Sequence, residues 1–256
     1  MSDVALYPTT DPRFGRHRVH DPQSRAFDLA ELNARIPRRE VNWPRRGEIF
    51  DQGNCPSAVL ATLGADPEQR SIGCCTMCAA YGLLLTEPYF RPGTVYTLDD
   101  VLKGYHRETV LDDREIPGVW PPEDTGSAGL YAMKVLRDLG LIRGYRHAFT
   151  LASALAALGR GPVAVGTNWY DSMFTPVARN GRPTLEIAYG ASVVGGHEYI
   201  LDRIDPKARM VGMTNSWGTG WGAGGRAWMS WSTLERLLHE HGDVVMPSLP
   251  LSAVPD

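Results

Sequence analysis

The sequence predicts an α+β chain folded as two lobes, one helical and one β-rich, with a cleft between them. Two observations carry that expectation. Helix signals crowd the first half: CCTMCAAYGLLL, starting near Cys74 or Cys75 and stopping at Pro88; TLDDVLKGYHRE, opened by a capping box of Thr97 and Asp100; and SAGLYAMKVLRDLGLI, with apolar residues recurring at three and four and a stop at Gly140. In the second half the character changes to short β-branched or aromatic runs divided by turn residues: PVAVGTNWY, GGHEYILDRID, ARMVGMTNSW and GRAWMSW.

In order along the chain, residues 1–42 read as an N-terminal arm, broken by Pro8, Pro12, Pro22 and Pro37, with one short helix expected from Asp28 to Arg35. VNWPRRGEIFDQG (41–53) reads as an entry strand or extended segment. PGVWPPEDTG (117–126) is a loop by its proline and glycine content, and Asp124 reads as an ordinary residue of that loop. Ser127 is expected to cap the helix that follows, and Thr150 to cap LASALAAL. Ser232 and Glu235 form a capping box for STLERLLHEH, and MPSLPLSAVPD reads as extended. The expected organisation is the arm, a single unit over 43–246 (helical lobe about 43–145, β-rich lobe about 146–246) and a tail over 247–256.

Composition narrows the function. A chain of 256 residues, 43% hydrophobic, can bury a substantial core. A formal charge of −3 argues against a nucleic-acid or membrane partner recruited by bulk charge. No apolar run approaches the roughly 18 residues of a spanning helix. The opening MSDVALYPTTDPRFGRHRVH lacks the apolar stretch of a secretory signal, so a cytoplasmic or particle-associated location is expected. The four cysteines, Cys55, Cys74, Cys75 and Cys78, do not make a disulfide scaffold in a chain this long. The C-x-x-C of 75–78 has no second pair, so neither a metal nor another cofactor is expected.

Three stretches carry chemistry. In SIGCCTMCAAYG (71–82) a cysteine opens a helix, where the helix dipole favours thiolate; Gly73 just upstream lets a substrate backbone come close. In VVGGHEYILDRID (193–205), Gly195 and Gly196 precede His197 at the start of a strand-like run. In TNSWGTGWG (214–222), Asn215 can hold an imidazole in one tautomer while Trp217 shields that bond from water. Cysteine, histidine, then asparagine is the nucleophile, base and orienter logic of thiol catalysis. His197 lies 122 residues after Cys75, and Asn215 lies 140 after it. Cys74 and Cys78 read as packing residues.

These residues resemble the papain-like (C1-type) cysteine peptidases over roughly residues 41–246. Asn-Ser-Trp-Gly at 215–218 is similar to the family's asparagine motif, Gly-Gly-His at 195–197 to its histidine motif, and Asp-Gln-Gly at 51–53 to its glutamine segment. IGCCTMCAAYG resembles the variant of bacterial and phage members in which threonine follows the nucleophile, and WPPEDTGSAG the loop and helix that come after it. One spacing departs from the pattern. The family's glutamine stands six residues before the cysteine, whereas Gln52 stands 23 before Cys75, with an inserted segment around 54–71; Gln69 stands six before. Either glutamine can supply the oxyanion donor, with Gln52 favoured by the RGEIF that precedes it.

The resemblance implies a papain-like two-lobed fold and peptide-bond hydrolysis without a cofactor. It assigns Cys75 as nucleophile, His197 as base, Asn215 as orienter, and Gly73, Gly126, Gly196 and Trp217 as substrate-binding residues. The expected partner is a peptide or protein substrate. Two other readings stand beside it: an assembly or structural module of a phage particle, in contact with other virion proteins, and an acyl transferase or amidase using the same triad.

Overall fold

The computed structural model describes residues 3–6, 11–20 and 35–249. The helix expected over 28–35 falls almost wholly outside these, as does most of the tail. Strands β1 (Asp3–Ala5), β2 (Arg18–His20) and β3 (Val41–Asn42) open the chain. Helices α1 (Ser57–Thr62), α2 (Cys75–Leu84), α3 (Leu98–Asp112) and α4 (Gly129–Asp138) form the helical part. Then come β4 (Gly144–Ala148), α5 (Leu151–Leu158), β5 (Val163–Tyr170), β6 (Val177–Arg179), β7 (Arg182–Leu185), β8 (Val193–Asp205), β9 (Met210–Thr214), β10 (Arg226–Ser230), α6 (Trp231–His239) and β11 (Asp243–Ser248).

A sheet of order β4-β11-β5-β8-β9-β10-β7-β6, with β3 beside β8, makes the second lobe. Its pairings are antiparallel except β10 with β7. Each lobe has its own core: Met77, Leu83, Leu102, Tyr105 and Leu136 in the helical one, and Val165, Leu201, Met213 and Leu237 in the other. Helix α2 joins them. All ten of its residues are buried, as expected of a helix apolar on every side, and it packs on α3, α4 and β8. The nucleophile candidate therefore sits on the most enclosed helix, at the level where the two cores meet.

Local chemistry explains most element ends. The capping box of Thr97 and Asp100 starts α3, and Thr150 caps α5 by accepting the Ser153 N–H at 3.2 Å. Two caps differ from expectation. Ser127 does not cap α4; its hydroxyl donates instead to the buried carboxylate of Asp112. Helix α6 is capped by Ser230, which accepts the Thr233 N–H at 3.0 Å, because β10 turns straight into the helix two residues before Ser232. The expected lobe boundary at 145–146 falls inside β4, a strand that the sequence reading did not mark. The arm packs on the folded unit: β3 pairs with β8, and Val19 belongs to the helical core. No helix among the described residues is long and apolar enough to cross a membrane.

Candidate active site

Cys75 is the first residue of α2 and is fully buried. Main-chain N–H groups of Gly15 and Glu198 face its thiol. A helix start alone would favour thiolate by about 0.3–1 kcal/mol. Burial outweighs it: desolvation, followed by the negative charge of Glu198, pushes the thiol up to about 12. The lowered pKa expected from the helix dipole is thus reversed in this closed arrangement.

His197 stands on β8 opposite Thr167 of β5, and Asn215 follows the last residue of β9. The two strands are neighbours, so residues 18 apart in sequence meet: Nε2 of His197 lies 2.7 Å from Oδ1 of Asn215. Oδ1 also accepts the Ser216 N–H at 2.9 Å, which fixes which amide atom faces the ring. Nε2 therefore carries the proton and Nδ1 is the basic nitrogen; Nδ1 has no hydrogen-bond partner among the described residues. The rings of Trp217 and Trp169 each lie 4.9 Å from the imidazole, centroid to centroid. This enclosure lowers His197 to about 4, through burial first, partly offset by the Asn215 hydrogen bond and reinforced by the Arg13 charge.

The structure separates the two glutamines. Gln52 is fully buried; its Nε2 donates to the carbonyls of Arg13 and Ile72, each at 3.1 Å, and its Oε1 accepts from the Ser216 hydroxyl. Gln69 is exposed in the turn after α1, and the structure does not bring it to this group. The inserted segment leaves and returns at one place. Ile72 N–H donates to the Gln52 carbonyl at 3.0 Å, and Cys55 N–H to the Arg70 carbonyl at 2.7 Å. The main-chain N–H groups that face the thiol belong to Gly15 and Glu198.

Residues 11–17 of the arm cover the site. Arg16 N–H donates to the Gly196 carbonyl at 3.1 Å, Ser127 N–H to the Gly15 carbonyl at 2.6 Å, and His17 N–H to the Ser127 carbonyl at 2.6 Å. The Phe14 ring sits 6.1 Å from His197, 6.0 Å from Trp217 and 5.5 Å from Phe174. The approach needs glycine: a Cβ on Gly15 would stand 1.6 Å from the Gly73 carbonyl oxygen, and one on Gly126 would stand 2.3 Å from that of Gly15. Gly73, Gly126, Gly196 and Trp217 all line the path of this segment. Together with its neighbours, the arm leaves both Cys75 and His197 without solvent-accessible surface.

Asp124 is not the plain loop residue expected. Its carboxylate accepts the Gly73 N–H at 2.8 Å and the Tyr105 hydroxyl at 2.7 Å, tying the loop to the turn before Cys75. Nothing in the sequence around it marks that role, since both partners are distant in the chain. The cysteines are all free, with Cys74 and Cys78 sulfurs 3.8 Å apart. Among the described residues there is no group of three or more His, Cys, Asp or Glu able to hold a metal ion.

Comparison with solved structures places this architecture. Xylellain, a cysteine protease from Xylella fastidiosa, superposes with a TM-score of 0.65 at 16% identity, over 96% of this chain and 99% of its own. The fold is papain-like. The bromelain protease from Ananas comosus gives 0.53 at 13% identity, over 84% of this papain-like chain and all of its own. A structure from work on the mite allergens Blo t 1 and Der p 1 gives 0.52 at 17% identity, over 87% and 74%. The sequence matches no protein-family model and none of the curated proteins.

Proposed function

We propose that the chain hydrolyses peptide bonds with a Cys75 thiolate, and that residues 11–17 hold the cleft shut until they are displaced. The observation that carries this reading is that the cleft already binds peptide. A segment of the chain's own arm lies against Cys75 and His197, held by main-chain hydrogen bonds to Gly196 and Ser127 and by the side-chain amide of Gln52.

With the arm displaced, water reaches both groups and the desolvation that keeps them neutral is relieved. The Cys75 proton passes to Nδ1 of His197, while Asn215 holds Nε2. The thiolate attacks a peptide carbonyl carbon, and the oxyanion accepts from the Gln52 amide and the Cys75 N–H. Nδ1–H protonates the departing amine, leaving a thioester. His197 then takes a proton from water, which attacks the thioester, releases the acid and restores the thiol.

The test is hydrolysis of a mixed peptide substrate by the full chain carrying Phe14→Ala, beside the double variant Phe14→Ala/Cys75→Ala. Turnover by the first and none by the second supports the reading; turnover that survives loss of Cys75 sinks it. The same complete burial of Cys75 and His197 favours a second reading, a papain-like module with an assembly role in a virus particle. That reading expects no turnover from either variant.

A further inference from the structure

Beside the catalytic group, the cleft holds a buried ion pair that catalysis does not use. The Arg16 side chain has no exposed surface, and its Nη2 donates to the Asp243 carboxylate and, at 3.3 Å, to the His241 carbonyl. Three strands shape the pocket. Asp243 opens β11. Gly166 of β5 makes room, since a Cβ there would stand 2.5 Å from Arg16 Nε and 3.1 Å from the Asp243 carboxylate. Glu198 of β8 lies within reach of the guanidinium's charge, but burial, and then the charge of Asp243, raises its pKa to about 8. His147 adds an imidazole nitrogen 3.8 Å from Asp243.

The main chain fixes where this pocket stands relative to the chemistry. Gly15 N–H faces the thiol, and Arg16, the next residue, donates its N–H to Gly196, the residue before His197. Arg13 makes the contrast. It stacks on Phe174 and Trp217, but its charge is met within the arm by Asp11, and its side chain is 38% exposed. For Arg16, in contrast, the cleft itself supplies the counter-charge.

We infer that the Gly166–Glu198–Asp243 pocket is a substrate subsite selecting a basic side chain, arginine or lysine, one residue removed from the residue at Cys75. The inference rests on the peptidase reading. When the arm leaves, the Asp243 carboxylate and the Glu198 side chain remain in a pocket shaped for a cation. An incoming guanidinium or ammonium takes up the contact that Arg16 makes with Asp243, whereas an apolar side chain forgoes it and an acidic one sets like charge beside Asp243. Arg16 is then both plug and mimic: a basic substrate competes for the same seat.

The arm bridges Ser127 in parallel through Arg16. A substrate running opposite to the arm puts the residue before the one at Cys75 into the Arg16 seat. The probes are therefore dipeptidyl chloromethyl ketones with glycine next to the ketone and arginine, leucine or glutamate before it. Cys75 displaces chloride and forms a thioether, read by mass spectrometry. In the unmodified chain, and more rapidly in Arg16→Ala, the arginine probe should label Cys75 at least about tenfold faster than the leucine probe, and the glutamate probe slowest. Arg16→Ala/Asp243→Asn should bring the first two to within about twofold. Labelling of Cys75 with no preference for arginine overturns the subsite and leaves the peptidase reading intact. No labelling of Cys75 by any probe in either protein overturns both.

Discussion

The side-chain amide of Gln52 donates to the main-chain carbonyl of Arg13 at 3.1 Å. A buried amide whose donor holds a peptide carbonyl of the arm is the group expected to hold a developing oxyanion once the arm is gone. One such donor is typically worth about 10²–10³ in kcat. In the Phe14→Ala background, Gln52→Ala should therefore lower kcat by that order with a small change in KM. Gln69→Ala, in the exposed turn, should leave kcat within about twofold. Steady-state kinetics on one peptide substrate decides between the two glutamines.

The arm's grip on the site should be measurable through one ring. Phe14 contacts His197, Trp217 and Phe174. A loss of only about 1.4 kcal/mol from arm docking raises the open fraction about tenfold. Phe14→Ala should raise the iodoacetamide labelling rate of Cys75 by at least that factor. An unchanged rate would mean that the arm does not limit access.

The closed site also has a pH signature. Burial holds Cys75 near 12 and His197 near 4, so between those values both are neutral and no thiolate–imidazolium pair exists. Labelling of Cys75 in the unmodified chain should climb with pH up to about 9 without a plateau. In Phe14→Ala it should level off at a lower pH, because solvent relieves the burial that raised the thiol. Coincident profiles would contradict the closed-site account.

Asn215→Ala removes the acceptor at Nε2 while leaving the ring between Trp217 and Trp169. The imidazole then loses its fixed tautomer, and kcat in the Phe14→Ala background should fall at least about tenfold. Thermal stability should change little by comparison. A variant with unchanged kcat would remove Asn215 from the mechanism.

Asp112, beneath Ser127, gives a stability test. Burial raises its pKa from 3.8 to about 7, offset in part by the Ser127 hydroxyl. The folded state therefore holds a proton that the unfolded chain has lost. Its contribution is fully present below about 4 and is lost as pH rises through 7. Glu108 and Glu198, also raised by burial, act with the same sign. His197, lowered to about 4, acts oppositely between about 4 and 6.5. Asp112→Asn should make the fall in denaturant midpoint from pH 4 to 7 shallower; an unaltered slope would show that Asp112 does not titrate in this window.

How much of this was legible in the sequence depends on the physical range of each interaction. The thiol helix, the Gly-Gly-His strand and the Asn-Ser-Trp-Gly turn announce themselves locally, and their order along the chain implied a common site. The 23-residue gap between Gln52 and Cys75 obscured the glutamine because spacing cannot show that an excursion closes on itself; the Gln52–Ile72 and Cys55–Arg70 hydrogen bonds do that. The plug was invisible for another reason. Phe14, Gly15 and Arg16 bind through main-chain hydrogen bonds, a glycine contact and one ion pair, which leave no periodic apolar signal in a proline-broken arm. Asp124 and Ser127 were misread because their partners, Gly73, Tyr105 and Asp112, lie 51, 19 and 15 residues away and appear only when α3 and α4 meet.

The most direct test of the central claim compares the four thiols of the Phe14→Ala chain near neutral pH, with iodoacetamide labelling mapped by mass spectrometry. If Cys75 is the nucleophile of an opened site, it reacts at least about tenfold faster than Cys55, Cys74 or Cys78. If Cys75 reacts no faster than those buried packing thiols, the account is wrong.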